Sequence, residues 1–204
     1  IQELQEFEIA PYSDLAIYVR VFLPNQVFVR THQNKFSQAL NFNFNQWQNE
    51  KGFKKFASHF YNQTSFLIER KIIRNGNNFE MNPFSKNEDE LIGLNTNFRN
   101  SLFFNRGKQF HSTTYSYLLN ENQNLLSVGS VSAKNKSHQI QYQHLIKKSW
   151  LVNFSGSTTT SKSDSENYPS RNFEIASYHL EPKIGYLFSK NASWDIFLVY
   201  LQKE

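Results

Sequence analysis

The chain has 204 residues, a formal net charge of +5 and a mean hydropathy of -0.61. It has no cysteine, which excludes disulfides, thiolate metal sites and a cysteine nucleophile. No apolar run approaches the ~20 residues that a membrane-spanning helix needs, so a helical membrane protein is disfavoured. A transmembrane strand needs only about 9 to 11 residues with one apolar side, and this composition permits it.

The composition predicts a mainly β structure. Aromatic residues make up 16% of the chain, with 20 Phe and 10 Tyr. The abundant Asn and Ser compete for backbone hydrogen bonds and disfavour long helices. The mild basic charge is explained most simply as a means of keeping the chain soluble. The alternative is that the chain binds a polyanion such as lipopolysaccharide. No segment matches a nucleic-acid-reading motif, so no nucleic-acid partner is expected.

Short β patterns and one helical pattern occupy the N-terminal third. Alternation of apolar and polar residues predicts strands at 15–23, 40–44 and 66–74. Within 47–61 apolar residues recur with helical spacing, and Gly52 favours a helix start there. These apolar residues are Phe53, Phe56, Ala57 and Phe60.

An internal boundary is predicted at 75–90, which combines turn formers, a proline and an acidic cluster at 88–90. The acidic cluster lacks the spacing of a calcium-binding loop and is interpreted as an exposed turn. We therefore expect three parts: a β-rich N-terminal region at 1–78, a linker or ordered loop at 79–96, and antiparallel β-hairpins at 97–204.

The strongest strand pattern lies at 138–154. Apolar and polar residues alternate on both sides of a short polar turn at 147–149, which is typical of a β-hairpin with one apolar face. A second hairpin is predicted at 178–200 around a turn at 189–193. The polar face is expected to carry Gln139, Gln141, Gln143, Asn153, His179, Glu181 and Lys183.

The predicted connections differ in length. We expect a turn at 120–124 and a long polar loop at 158–172, so that short and long connections alternate. About six strands are predicted after residue 90. Such alternation is typical of an outer-membrane β-barrel. A soluble antiparallel sheet also has one apolar and one polar face, so the strand pattern alone does not separate the two.

Aromatic residues gather near the short turns of both predicted hairpins. Trp and Tyr favour the membrane–water interface, where one ring meets both phases. In a barrel these residues would form an interfacial girdle, and the polar face would line the lumen. The residues assigned to the girdle are Trp150, Tyr186, Phe188, Trp194 and Tyr200.

Several short segments carry a resemblance. They are NPF at 82–84, RNSLFFNR at 99–106, SRNFEI at 170–175, and the later Tyr178, Pro182, Lys183, Tyr200, Lys203 and Glu204. In these segments the chain resembles the large outer-membrane β-barrel surface proteins of Bacteroidota over residues 79–204. The resemblance implies a barrel preceded by periplasmic or surface β-domains, and no catalytic residues. Six strands cannot close a barrel of at least eight, so we expect a partial barrel wall.

The sequence contains no recognised catalytic or phosphate-binding motif. His138 and His144 share a strand face but are separated by about 20 Å at ~3.3 Å per residue, too far to bind one metal. We therefore expect no enzymatic activity, no catalytic residue, no cofactor and no metal.

Two functions stay open. The first is a structural, transport or surface-assembly role in the outer membrane, with outer-membrane lipid, lipopolysaccharide or other outer-membrane proteins as partners. The second is a soluble β-sandwich in the periplasm or at the cell surface that binds carbohydrate or protein. Its sugar-stacking candidates are Trp47, Tyr61 and Tyr168. A common enclosed core would favour the sandwich if it contained Ile140, Trp150, Val152, Ile184 and Ile196.

Overall fold

The structure, a computed structural model, describes residues 12, 29–74, 82, 84, 90–108, 110–126, 129–189 and 192–204. The predicted strand at 15–23 lies outside these residues. The described strands are β1 (Thr31–Asn43), β2 (Phe60–Ile73), β3 (Leu91–Phe104), β4 (His111–Leu126), β5 (Gly129–Ile146), β6 (Trp150–Ser165), β7 (Phe173–Ser189), β8 (Ala192–Phe197) and β9 (Tyr200–Lys203). Among the described residues, one α-helix, α1 (Phe53–Ala57), and two 3-10 turns at Asn45–Trp47 and Pro169–Arg171 are also present.

All nine strands belong to one antiparallel sheet in which β1 to β8 follow in chain order. This confirms the prediction of a mainly β antiparallel meander. β8 and β9 are two parts of one edge strand, because both pair with β7 in the same register. Between these parts, Leu198 donates its N–H to the carbonyl of Pro182 at 3.1 Å. Pro182 has no N–H to return, so the ladder is interrupted there.

The sheet is open among the described residues. β1 pairs only with β2, and the β8–β9 strand pairs only with β7. The two edges differ in chemistry. Along the β8–β9 edge, consecutive exposed residues are apolar on both faces of the sheet: Phe197, Leu198, Val199, Tyr200 and Leu201. An exposed apolar edge with free backbone groups is a template for pairing with another strand.

No second layer of described residues covers the sheet. Ile68 and Ile72 are the buried hydrophobic residues of the described chain, and both lie on β2. The described residues do not form the enclosed core that a sandwich requires. Ile140, Trp150, Ile184 and Ile196 are exposed, and Val152 is half-buried.

The predicted helix is correct in its start but too long. Gly52 is the N-cap residue, with φ 68, and α1 ends at Ala57. Phe60, assigned to the helix from its spacing, begins β2 instead, because it pairs with Phe104 and their ring centroids are 5.0 Å apart. Cross-strand pairing therefore overrides the local helical pattern. The strands predicted at 40–44 and 66–74 are parts of the longer β1 and β2.

The predicted turn at 120–124 is wrong, because β4 runs through it without a break. Asn120, Asn122 and Asn124 pair with residues of both neighbouring strands. The Asn97 Nδ2 donates a hydrogen bond of 2.6 Å to the Asn120 Oδ1. Side-chain amides that usually stabilise turns here bridge adjacent strands.

The predicted long loop at 158–172 is wrong over its first half. β6 continues to Ser165 and pairs with both β5 and β7, leaving 166–172 as the connection. The β-branched threonines at 158–160 favour extended backbone. They were assigned to the loop because they are polar.

Strict alternation of short and long connections is also wrong. We define end I as the end of the sheet with connections 44–59, 105–110, 147–149 and 190–191. End II has connections 74–90, 127–128 and 166–172. Each end therefore combines long and short connections.

β1 and β2 belong to the same sheet as the C-terminal strands. β3 begins at Leu91, inside the predicted linker at 79–96, and pairs directly with β2. The described residues therefore form one continuous sheet instead of a separate small domain followed by hairpins. Among these residues, no helix is long and apolar enough to cross a membrane.

Replacement of Gly129 by alanine should destabilise the β4–β5 hairpin. Gly129 has φ 98, and an added Cβ would clash with the side chain of Asn167. We expect a loss of about 1 to 3 kcal/mol in the free energy of unfolding, measured by urea denaturation. Gly93→Ala is the matched control, because its Cβ would meet only ordinary contacts at 3.6 Å or more. Equal losses in the two variants would contradict this account.

Candidate functional site

The strand register assigns each side chain to one of two faces. Residues directly opposite each other in an antiparallel pair project to the same side of the sheet. Ile184 lies opposite Val152 and Ile196, and Glu181 lies opposite Ser155. We call the side that carries Ile184 the apolar face and the side that carries Glu181 the polar face.

The apolar face presents a continuous band of mostly large side chains on β4 to β9. Its members come from adjacent rows of paired residues, so they lie side by side across the strands. No described element covers them. The band contains Tyr115, Tyr117, Leu119, Ile140, Tyr142, Ile146, Trp150, Val152, Phe154, Tyr178, Leu180, Ile184, Tyr186, Phe188, Trp194, Ile196 and Tyr200.

Four of the five predicted interface aromatics lie together at the end I border of this band. Trp150, Tyr186 and Trp194 occupy one row across three strands. The ring centroids of Trp150 and Tyr186 are 4.7 Å apart, as are those of Tyr186 and Phe188. Tyr200 does not join them. Tyr200 lies opposite Leu180. It is six residues from Trp194 along the edge strand, a distance of about 20 Å.

A second aromatic row, which the sequence analysis missed, borders the band toward end II. Tyr117, His138 and Tyr178 occupy this row. The Tyr117 and His138 ring centroids are 4.8 Å apart, and the neighbouring Tyr115 hydroxyl lies 2.8 Å from the His138 Nδ1. These residues are on three different strands, so only the register reveals the row. Its one sequence signal is that each residue has the same parity as the apolar residues of its own strand.

Beyond this second row the apolar face becomes charged. The Lys134 Nζ lies 3.2 Å from a Glu121 carboxylate oxygen, and the Lys162 Nζ lies 3.2 Å from an Asp164 oxygen. All four side chains are partly exposed, so these pairs add little stability. They show that the apolar face changes from apolar to charged side chains within a few residues along each strand.

The polar face brings together all seven residues that were predicted to share it. They form three rows: Gln139 with His179, Gln141 with Glu181, and Gln143 with Asn153 and Lys183. A shallow cavity of about 300 Å³ lies among them. The side chains that surround it are polar or charged, and the nearby Tyr142 and Phe154 project to the other face.

A polar cluster interrupts the apolar face on β2 and β3. The Asn100 Nδ2 donates to the Thr64 Oγ1 at 2.7 Å and to the Asn62 Oδ1 at 3.2 Å. Thr64 in turn donates its hydroxyl to the Asn62 Oδ1 at 3.0 Å. The three side chains therefore satisfy one another, which lowers the cost of placing polar groups in an apolar environment.

The aromatic rings proposed for sugar stacking already contact other side chains of this chain. Trp47 stacks on Phe44 with a centroid distance of 5.1 Å. The Arg106 guanidinium lies 4.4 Å from the Tyr61 ring centroid, and the Arg171 guanidinium lies 4.9 Å from that of Tyr168. A sugar ring would have to compete with these contacts or use the opposite ring faces.

In the described part of the chain, no group of three or more His, Asp or Glu side chains is placed to hold a metal. Comparison with protein-family models, curated proteins and solved structures found no match. The two faces of the sheet and their borders are therefore the features from which function is inferred.

The row of aromatics at end I should stabilise the sheet cooperatively. A double-mutant cycle with Trp150→Ala and Tyr186→Ala should give a coupling energy of about 0.5 to 1.5 kcal/mol, because the rings contact each other across the strands. Unfolding by urea measures it. The control cycle pairs Trp150→Ala with Tyr115→Ala, in a different row, and should be additive. Additive losses in both cycles would contradict the contact.

Proposed function

We propose that this chain forms part of the wall of an outer-membrane β-barrel with a structural, transport or surface-assembly role and no enzymatic activity. In this proposal the apolar face contacts lipid and the polar face lines the lumen. The observation that carries the proposal is the exposed apolar band, which no described element covers. It has aromatic rows at both borders and a polar face on the same strands.

The exposure of the band favours a hydrocarbon environment. Ile184 and Ile196 expose 45% and 54% of their surface, and they are surrounded by other exposed large side chains. A contiguous apolar surface of this kind is unfavourable in water, at about 25 cal/mol per Å². Lipid chains remove this cost without a second protein layer.

The dimensions of the band suit a membrane. On β7 it extends from Tyr178 to Phe188, about 11 residues, within the range of a transmembrane strand. β7 itself has 17 residues, and β5 has 18. The excess length lies toward end II, where the apolar face becomes charged. Because the strands extend beyond the apolar band at end II, we assign end II to the external side and end I to the periplasmic side.

The position of the band on β4 supports strands that are inclined to the membrane. Its apolar residues there are Tyr115, Tyr117 and Leu119. Tyr115 shares a row with Leu180, and Leu119 shares a row with Ala176. The band on β4 is thus displaced toward end II relative to β7. Barrel strands tilt by about 35 to 45°, so a band parallel to the membrane crosses the rows of paired residues in this way.

The polar face supports a water-filled or plugged lumen. Gln141, Glu181 and Lys183 surround its cavity, and the Lys183 Nζ forms an ion pair with Asp195 at 3.2 Å. Charged and amide side chains in series require water or polar partners. The open edges at β1 and β8–β9 require further strands to complete a closed barrel, so this sheet is proposed as a partial wall.

The alternative function, a soluble carbohydrate- or protein-binding module, has less support. Its feature would be the cavity of about 300 Å³ on the polar face. That cavity has no aromatic platform, and the large apolar band would remain exposed to water.

Site-directed labelling tests which face meets lipid. The chain has no cysteine, so Ile184→Cys and Gln143→Cys each give a single labelling site, on opposite faces at similar depth. We expect a fluorophore at Ile184→Cys to be quenched by lipids brominated on their acyl chains in reconstituted vesicles. The label at Gln143→Cys should respond to a water-soluble quencher instead.

Equal quenching of the two labels by brominated lipid would contradict the assignment of faces. A chain that stays folded and monomeric in buffer without detergent would contradict the membrane location itself.

A further inference from the structure

The connection between β1 and β2 at end I presents exposed phenylalanines. α1 begins at Phe53, which exposes 80% of its surface, and Phe56 on the next turn exposes 54%. The two residues are three apart, so they lie on the same side of the helix. Most of the surface of this side is therefore exposed.

α1 is continuous with the apolar face of the sheet. The Phe56 ring centroid lies 5.2 Å from that of Phe60 and 6.3 Å from that of Phe104. Phe60 and Phe104 face each other at the end I limits of β2 and β3, on the apolar face. The exposed side of α1 therefore extends the apolar surface beyond the strands, at the level where a membrane would meet the periplasm.

Lysines flank these phenylalanines. Residues 51–56 read KGFKKF, with Lys51, Lys54 and Lys55. Within the described chain, Lys54 is the one lysine of the three with an ion pair, to Glu50 at 4.0 Å, and both side chains are more than half exposed. By contrast, Lys134 and Lys162 at end II each lie 3.2 Å from a carboxylate. Among the described residues, Lys51 and Lys55 thus have no carboxylate partner.

We propose that residues 51–56 form an interfacial anchor that binds anionic phospholipids of the inner leaflet. Phe53 and Phe56 enter the boundary between headgroups and acyl chains, and the lysines contact the lipid phosphates. Short basic segments with exposed aromatics bind anionic membrane surfaces in this manner, and lysine stems reach past apolar surface to the charged headgroups. This inference rests on the proposed lipid-facing role of the sheet, which sets the level of α1.

The depth of α1 can be measured on the 204-residue chain in reconstituted vesicles. A fluorophore at Phe53→Cys should be quenched by lipids brominated near the headgroup end of the acyl chain. The control is Lys148→Cys, in the polar turn at the same end of the sheet, which should stay accessible to a water-soluble quencher. Water accessibility of the Phe53→Cys label equal to that of Lys148→Cys would overturn the anchor.

Lipid selectivity is tested in mixed vesicles of phosphatidylcholine and phosphatidylglycerol. Spin-labelled phosphatidylglycerol should quench the Phe53→Cys fluorophore about twofold more than spin-labelled phosphatidylcholine at the same mole fraction. The added changes Lys51→Gln, Lys54→Gln and Lys55→Gln should abolish this preference, and so should 0.5 M salt, because screening removes exposed electrostatic attraction at about that concentration. Equal quenching by both lipids in the unmodified lysine background would overturn the phosphate contact.

The Ile184→Cys label separates failure of the anchor from failure of the proposed function. If that label is quenched by acyl-chain bromines while the Phe53→Cys label stays in water, the anchor proposal is wrong but the barrel-wall proposal is not contradicted. If neither label meets lipid, the proposed function fails as well.

Discussion

The cross-strand register is the constraint on which the rest of this structure depends. Because opposite residues project to the same side, the register determines which side chains of neighbouring strands lie next to each other on each face. Val152, Ile184 and Ile196 thereby form one apolar row, while Ser155 and Glu181 face the other way. A slip of one residue between β6 and β7 would place glutamate and lysine side chains in the apolar band. The two faces are therefore a property of the whole sheet.

Local alternation was sufficient to predict which residues share the polar face, because successive side chains of a strand project to opposite faces and the two faces here differ in polarity. It placed Gln141, Glu181 and Lys183 on one side correctly. The wrong predictions concern residues whose individual conformational preference conflicts with their place in the strand register. Asn120 favours a turn by itself but bonds across strands to Asn97, and the threonines at 158–160 are polar yet extended. The row of Tyr117, His138 and Tyr178 spans four strands, with Thr158 of β6 between His138 and Tyr178, so no local pattern predicts it.

The proposed function joins the two faces, the borders and α1 in one physical account. An uncovered apolar band needs hydrocarbon, a hydrogen-bonding face needs water, and aromatic rows suit the boundary between the two. The Asn62–Thr64–Asn100 cluster fits this account, because its side chains satisfy one another on the apolar face. The exposed β8–β9 edge fits it as well, since a barrel wall continues through strand pairing at its edges. The lysines at 51, 54 and 55 would add a preference for anionic lipid at end I.

The most direct measurement of the central claim is magnetisation transfer between lipid acyl protons and the isoleucine methyl groups, recorded by nuclear magnetic resonance in lipid nanodiscs. The account predicts strong transfer from acyl chains to the methyls of Ile140, Ile184 and Ile196. It also predicts transfer from water to the side-chain amides of Gln141 and Gln143. Transfer from water to the isoleucine methyls, with none from the acyl chains, would contradict the assignment of the apolar face to lipid.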